Sequence, residues 1–118
     1  MRLAEVKEKL GLESRADPVD PDIEVTGGHV SDLLSEVMAN SAKGQLWMTL
    51  QTHQNIIAVA TLKEHAAVVV VAGREPEPET IEKARSEKVP LFTSPLSAFE
   101  LAGRLYEIGV RAAPDEGV

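Results

Sequence analysis

Residues 24–38 read EVTGGHVSDLLSEVM. A short apolar run meets Thr26-Gly27-Gly28, and apolar residues then recur at Val30, Leu33, Leu34, Val37 and Met38. That spacing, i, i+3, i+4, i+7, i+8, is one buried face of a helix. The stretch therefore predicts a strand at Ile23–Val25, a glycine turn, and a helix directly after it. A strand running straight into a helix opens a β–α unit, the connection that parallel strands require.

The same alternation recurs downstream. Leu46–Leu50 reads as a second strand, with Trp47 and Met48 as packing positions, followed by a helix from about His53 to Leu62 that turns Ile56, Ile57 and Ala60 inward. Ala67–Ala72 is the third strand, and its unbroken valines mark a central strand buried on both faces. Pro78, with Glu77 and Glu79 beside it, opens the next helix. Leu91–Thr93 is the fourth strand, and Ser94-Pro95 supplies an N-cap and first-turn proline for a helix running to Ile108 and stopped by Gly109. Ahead of all this, Leu3, Val6 and Leu10 fall at helical spacing with Gly11 as C-cap, and ESRADPVDPD at 13–22 reads as a loop. The expected fold is α/β: a small three-layer sandwich with a mainly parallel sheet of about four strands and helices on both faces. One domain spans 1–111, with 112–118 as a flexible tail.

Composition narrows the function. Of 118 residues, 43% are hydrophobic but only 3% aromatic, so the core is aliphatic. There is no cysteine, which excludes disulfides, a cysteine nucleophile and thiolate-held clusters. The charged N-terminus lacks the apolar region of a signal peptide, and no apolar run is long enough to span a bilayer; the expectation is a cytoplasmic protein. A net charge of −7 without a basic cluster argues against nucleic acid.

In open parallel sheets, ligands bind beyond the carboxyl ends of the strands. On the strands read above, that rule picks out Thr26-Gly27-Gly28-His29, Gln51 to Asn55, Gly73-Arg74-Glu75 and Thr93-Ser94. Helix N-termini there offer free N–H groups to an anion, and Arg74 adds a bidentate cation. The ligand-binding candidates are Thr26, Gly27, Gly28, Thr52, His53, Asn55, Gly73 and Arg74. Turn formation and capping explain the same glycines and hydroxyls. The five-residue polar run Gln51-Thr52-His53-Gln54-Asn55 exceeds what a turn needs, so it reads equally as a binding site or a subunit contact. Neither G-x-G-x-x-G nor G-x-x-x-x-G-K-[ST] occurs. His29, His53 and His65 lack metal-ligand spacing; His29 and His53 with Asp32 form at most a weak set, and His65 reads as a loop residue. No constellation supports a reaction, and no metal or cofactor is expected. Glu100 and Arg104 read as a surface i,i+4 pair.

With EVTGGHVSDLLSEVM, LWMTLQTHQNIIAVA and VVVVAGREPEPETIEKA quoted together, the chain resembles DRTGG-domain proteins from about Ile23 to Ile108. Glu24 and Val25 stand where the family name has Asp and Arg, so only Thr26-Gly27-Gly28 match, and no role of that arginine carries over. The resemblance implies a fold similar to the N-terminal domain of HPr kinase/phosphorylase and a non-enzymatic regulatory or sensor domain. Such domains accompany nucleotide-sensing modules in some pyrophosphatases and precede the catalytic part of some phosphotransacetylases. A kinase label sometimes given to such relatives does not fit, since the P-loop motif is lacking. It further implies a homodimer and, from stand-alone members encoded near iron–iron hydrogenase components, a regulatory or assembly role there. Two readings follow: a dimeric sensor of a small anionic ligand, nucleotide or phosphorylated, or a structural adaptor working through protein–protein contacts, linked to hydrogenase or carbon metabolism.

Overall fold

The computed structural model describes residues 1–111. The expected tail, 112–118, lies outside the described residues. Ten elements follow in the order α1 (Leu3–Leu10), β1 (Glu13–Ser14), β2 (Gly27–Val30), α2 (Leu34–Asn40), β3 (Gln45–Thr49), α3 (Asn55–Lys63), β4 (Ala67–Val70), α4 (Pro78–Glu87), β5 (Leu91–Thr93) and α5 (Ala98–Glu107). They build one sheet in the order β1-β5-β4-β3-β2. The last four strands are parallel, and β1 adds an antiparallel edge on β5 through Glu13↔Thr93 and Ser14↔Phe92.

Side chains alternate across the sheet with period two, and the alternation sorts the core into two layers. Leu46, Met48, Ala67, Val69 and Phe92 point to the face covered by Leu3, Val6 and Leu10 of α1 and Leu101 and Leu105 of α5. Trp47, Val68, Val70 and Leu91 point to the other, against Val37 of α2, Ile56, Ile57 and Ala60 of α3, and Ala84 of α4. The three-layer sandwich is thus present, with five strands rather than four.

The first strand differs from expectation. Ile23–Val25 does not join the sheet: Leu3 N donates to Ile23 O at 2.7 Å and Val25 N to Met1 O at 2.8 Å, while Glu24 bridges Arg2. The strand is Gly27–Val30, in register Gly27↔Gln45 to Val30↔Met48. The apolar spacing that reads as helix from Val30 begins in the strand, and α2 starts only at Leu34. Of that predicted face, Val37 is buried, whereas Val30, Leu33 and Met38 are exposed. The predicted cap at Ser94-Pro95 also moves: Ser97 Oγ accepts from Glu100 N at 3.2 Å and is the true N-cap of α5. Ser94 instead extends the sheet, its N–H donating to Val70 O at 3.0 Å.

Candidate functional site

The helices α2, α3 and α4 lie on one face and α5 on the other, so the connections after β4 and β5 diverge to opposite faces. The crevice expected at such a divergence is closed by backbone. Ala72 N donates to Leu96 O at 2.7 Å, and Gly73 N to Ser94 O at 3.0 Å. Ala72 and Gly73 both have positive φ, 60° and 72°, and Arg74 N returns to Val71 O at 3.3 Å. This is a two-residue turn with left-handed central residues, and it aims Arg74 into solvent.

Neighbouring loops are tied to the same end. Thr52 O accepts from Glu77 N at 3.1 Å and from the buried Thr80 Oγ1 at 2.7 Å, joining the β3–α3 loop to the entry of α4. His53 Nδ1 accepts from Asn55 N at 3.2 Å. Asp32 Oδ1 accepts from Leu50 N at 2.6 Å and Thr49 Oγ1 at 3.0 Å, and Gln51 Nε2 donates to Asp32 O at 2.9 Å. Thr52, His53, Asn55, Gly73 and Arg74 therefore gather around the carboxyl ends of β3 and β4.

Arg74 stands at this same end of the sheet. The carboxylate next to it, Glu75, is held by both arms of Arg15: Nε to Oε2 at 3.0 Å and Nη2 to Oε1 at 2.7 Å. That fork lowers the Glu75 carboxyl below its ordinary range and raises the Arg15 guanidinium. With Glu75 taken, Arg74 is exposed and forms no ion pair among the described residues.

Thr26, Gly27 and Gly28 are elsewhere. They lie at the amino end of the sheet, about 10 Å of strand away from its carboxyl end. Thr26 N donates to Gly44 O at 2.9 Å and Thr26 Oγ1 to Lys43 O at 3.1 Å, clamping the turn that leads into β3. The Gly28 N–H donates to Arg111 O at 3.0 Å and is not free for an anion. The eight predicted residues thus divide five and three between opposite ends of the sheet. A groove of about 620 Å³ does adjoin Thr26, walled by Ile23, Lys43, Gly44, His65 and Ala66.

No protein-family model matches the chain, and no curated protein matches it by sequence. A solved structure does match in shape: the CBS and DRTGG domains of the regulatory region of Clostridium perfringens pyrophosphatase, complexed with its activator diadenosine tetraphosphate. The superposition covers 95% of this chain at a TM-score of 0.66 and 18% identity. The fold is DRTGG-related. This chain spans 47% of that chain, about half its length.

Within this DRTGG-related fold the histidines part company. His29 Nε2 meets Glu36 Oε1 at 2.9 Å, His53 caps locally, and among the described residues no three His, Cys, Asp or Glu side chains are placed to hold a metal ion. His65 does sit between α3 and β4, but it is buried. Ser41 Oγ donates to Val37 O at 2.6 Å, so it accepts from His65 Nε2–H at 2.8 Å. That leaves His65 Nδ1 unprotonated, buried and without a partner, with the ring edge-on to Trp47 at 5.5 Å. Burial first, then the charges of His29 and Lys63, push the imidazole down to about 4. Sequence reasoning reads His65 as a loop residue and Asp32 only as part of a weak metal set, and passes over Arg15, because their partners Ser41, Thr49 and Glu75 are distant in the chain. No helix among the described residues is long and apolar enough to cross a membrane.

Proposed function

We propose that the chain is a non-catalytic regulatory domain that dimerises and senses a small anionic ligand, nucleotide or phosphorylated, at the carboxyl-end loops. The observation that carries the ligand half is Arg74: an exposed guanidinium at the carboxyl end of the sheet that forms no ion pair among the described residues, its sequence neighbour Glu75 being held by Arg15. Gly73 precedes it in the turn, Thr52, His53 and Asn55 lie on the neighbouring β3–α3 connection that is tied to the entry of α4, and a planar fork suits phosphate or carboxylate. The shape shared with a regulatory region that is complexed with a dinucleotide activator supports the same reading. Thr26, Gly27 and Gly28 have no part in this site; their work is structural.

The test is thermal denaturation with AMP, ATP, diadenosine tetraphosphate, acetyl phosphate and a panel of phosphorylated metabolites. A ligand at a hundredfold its dissociation constant stabilises by about 2.7 kcal/mol, a shift of several degrees in a domain of this size. Arg74→Ala removes the shift and leaves the unliganded melting temperature within about a degree. An unmoved melting temperature across the whole panel overturns the ligand half.

A second reading, an adaptor acting through protein–protein contacts, draws on a different observation. Phe99 stands 86% exposed on α5, more than any other large apolar side chain among the described residues. The polar run Gln51–Asn55 contributes less to that reading than expected, since Gln51, Thr52 and His53 are bonded within the chain.

A further inference from the structure

Helix α5 (Ala98–Glu107) buries Leu101 and Leu105 against the sheet and turns Phe99, Gly103 and Tyr106 outward, at spacings of four and three. One Trp, one Tyr and two Phe are the only aromatic residues in the chain, and two of these four lie on this stripe. A glycine inside a helix costs about 1 kcal/mol relative to alanine. A Cβ built on Gly103 would meet nothing within 4 Å, so packing within the described chain does not call for it. A glycine at the centre of an exposed face, between two aromatic rings, fits close approach by another backbone.

The flank of the stripe carries both signs of charge. Glu100 and Arg104 pair at 3.6 Å, and Arg111 lies over the Tyr106 ring at 3.9 Å. With Glu107 these groups sum to zero, in a chain whose net charge is −7. This face is therefore locally neutral on a molecule that otherwise repels its own copies.

We infer that α5 docks on α5 of a second copy, the two helices antiparallel about a two-fold axis near Gly103. The inference rests on the dimerising half of the reading above and names its surface. The order aromatic, glycine, aromatic reads nearly the same from either end, as an isologous contact demands. In an antiparallel pair the same flank of each helix meets its counterpart. Glu100 then faces Arg104 of the second copy, and Arg104 faces its Glu100. A parallel pair loses that match. One helix face buries less than the roughly 800 Å² per partner of a standard interface, so the dimer is weak and concentration-dependent.

Sedimentation equilibrium over a concentration series tests this on the full chain. Wild type shows a monomer–dimer equilibrium. Phe99→Ala and Gly103→Gln each weaken it at least about tenfold. Gly103→Gln also raises the melting temperature of the monomer, since glutamine favours the helix, a pairing of effects that misfolding cannot produce. Glu100→Arg and Arg104→Glu weaken association singly, and the double exchange restores it. A dimer indifferent to all these changes overturns the α5 face and leaves the dimerising reading standing. A chain that stays monomeric at every concentration overturns both.

Discussion

Gly28 lies directly beneath Leu105. A Cβ placed on Gly28 would come within 3.0 Å of Leu105 Cδ2 and 3.4 Å of Met48 Cε, with the Gly28 N–H bonded to the carbonyl of Arg111. The glycine of this motif thus lets α5 settle onto the edge strand β2. The space that a side chain at position 28 would need is filled by the protein's own leucine.

Replacing Gly28 with valine therefore overpacks the α5 layer. The expected loss is about 1–3 kcal/mol in urea denaturation, with Ala costing less because the tip of Leu105 can give a few tenths of an ångström. A glycine kept for a ligand instead would tolerate valine with unchanged stability in the unliganded protein.

Thr26 and Gly44 make a second structural lock. Gly44 has φ +82°, and a Cβ there would lie 2.4 Å from Thr26 Oγ1. Gly44→Ala combines left-handed strain with a clash, and about 2–4 kcal/mol is the expected cost. Adding Thr26→Ala relieves the clash but leaves the strain of about 1–2 kcal/mol, so a double-mutant cycle reads a favourable coupling between the two changes. Additive losses would show that the side chain of Thr26 does not fill that space.

How legible all this is in the sequence depends on whether the deciding contact is local. The three valines of β4, the Gly11 cap and the Pro78 start are legible, because burial on both faces or a terminus-specific backbone need dictates them. β2 is not: Gly27-Gly28-His29 has poor strand propensity and becomes a strand only by pairing with β3. β1 is two polar residues, Glu13 and Ser14, held by β5 far along the chain. At the candidate site, the rim rule locates Thr52, His53, Asn55, Gly73 and Arg74. The same rule misplaces Thr26 to Gly28 because it depends on where the strand ends. The Arg15–Glu75 fork, which occupies the carboxylate next to Arg74 in sequence, joins residues sixty apart.

Ala72 offers a stabilising change beside the candidate site. It holds φ 60° without being glycine, next to Gly73 at φ 72°. Such strain costs about 1–2 kcal/mol, part of which glycine gives back through the greater freedom of the unfolded chain. Ala72→Gly is expected to raise stability by roughly 0.5–1 kcal/mol, whereas Gly73→Ala lowers it by a similar amount. Calorimetric melting of the two variants checks both signs.

His65 contributes a pH response of its own between about pH 4 and 6.5. Its folded pKa, about 4, lies below the ordinary 6.5, so the folded state keeps the ring neutral while the unfolded chain takes up a proton. Between those values the unfolded state binds more protons, and stability rises with pH. Full benefit is present above about pH 6.5 and is lost progressively as pH falls toward 4, with a slope of up to about 1.4 kcal/mol per pH unit from this group. His65→Gln has no titrating ring, and its stability between pH 4 and 6.5 is expected to fall less steeply than that of wild type. The difference in slope, read by chemical denaturation with Trp47 fluorescence as the local probe, isolates the histidine from the carboxylates that titrate below it. Parallel pH profiles for the two proteins would mean that protonation of His65 costs the folded state nothing, against the buried, unpartnered Nδ1 that the ring presents.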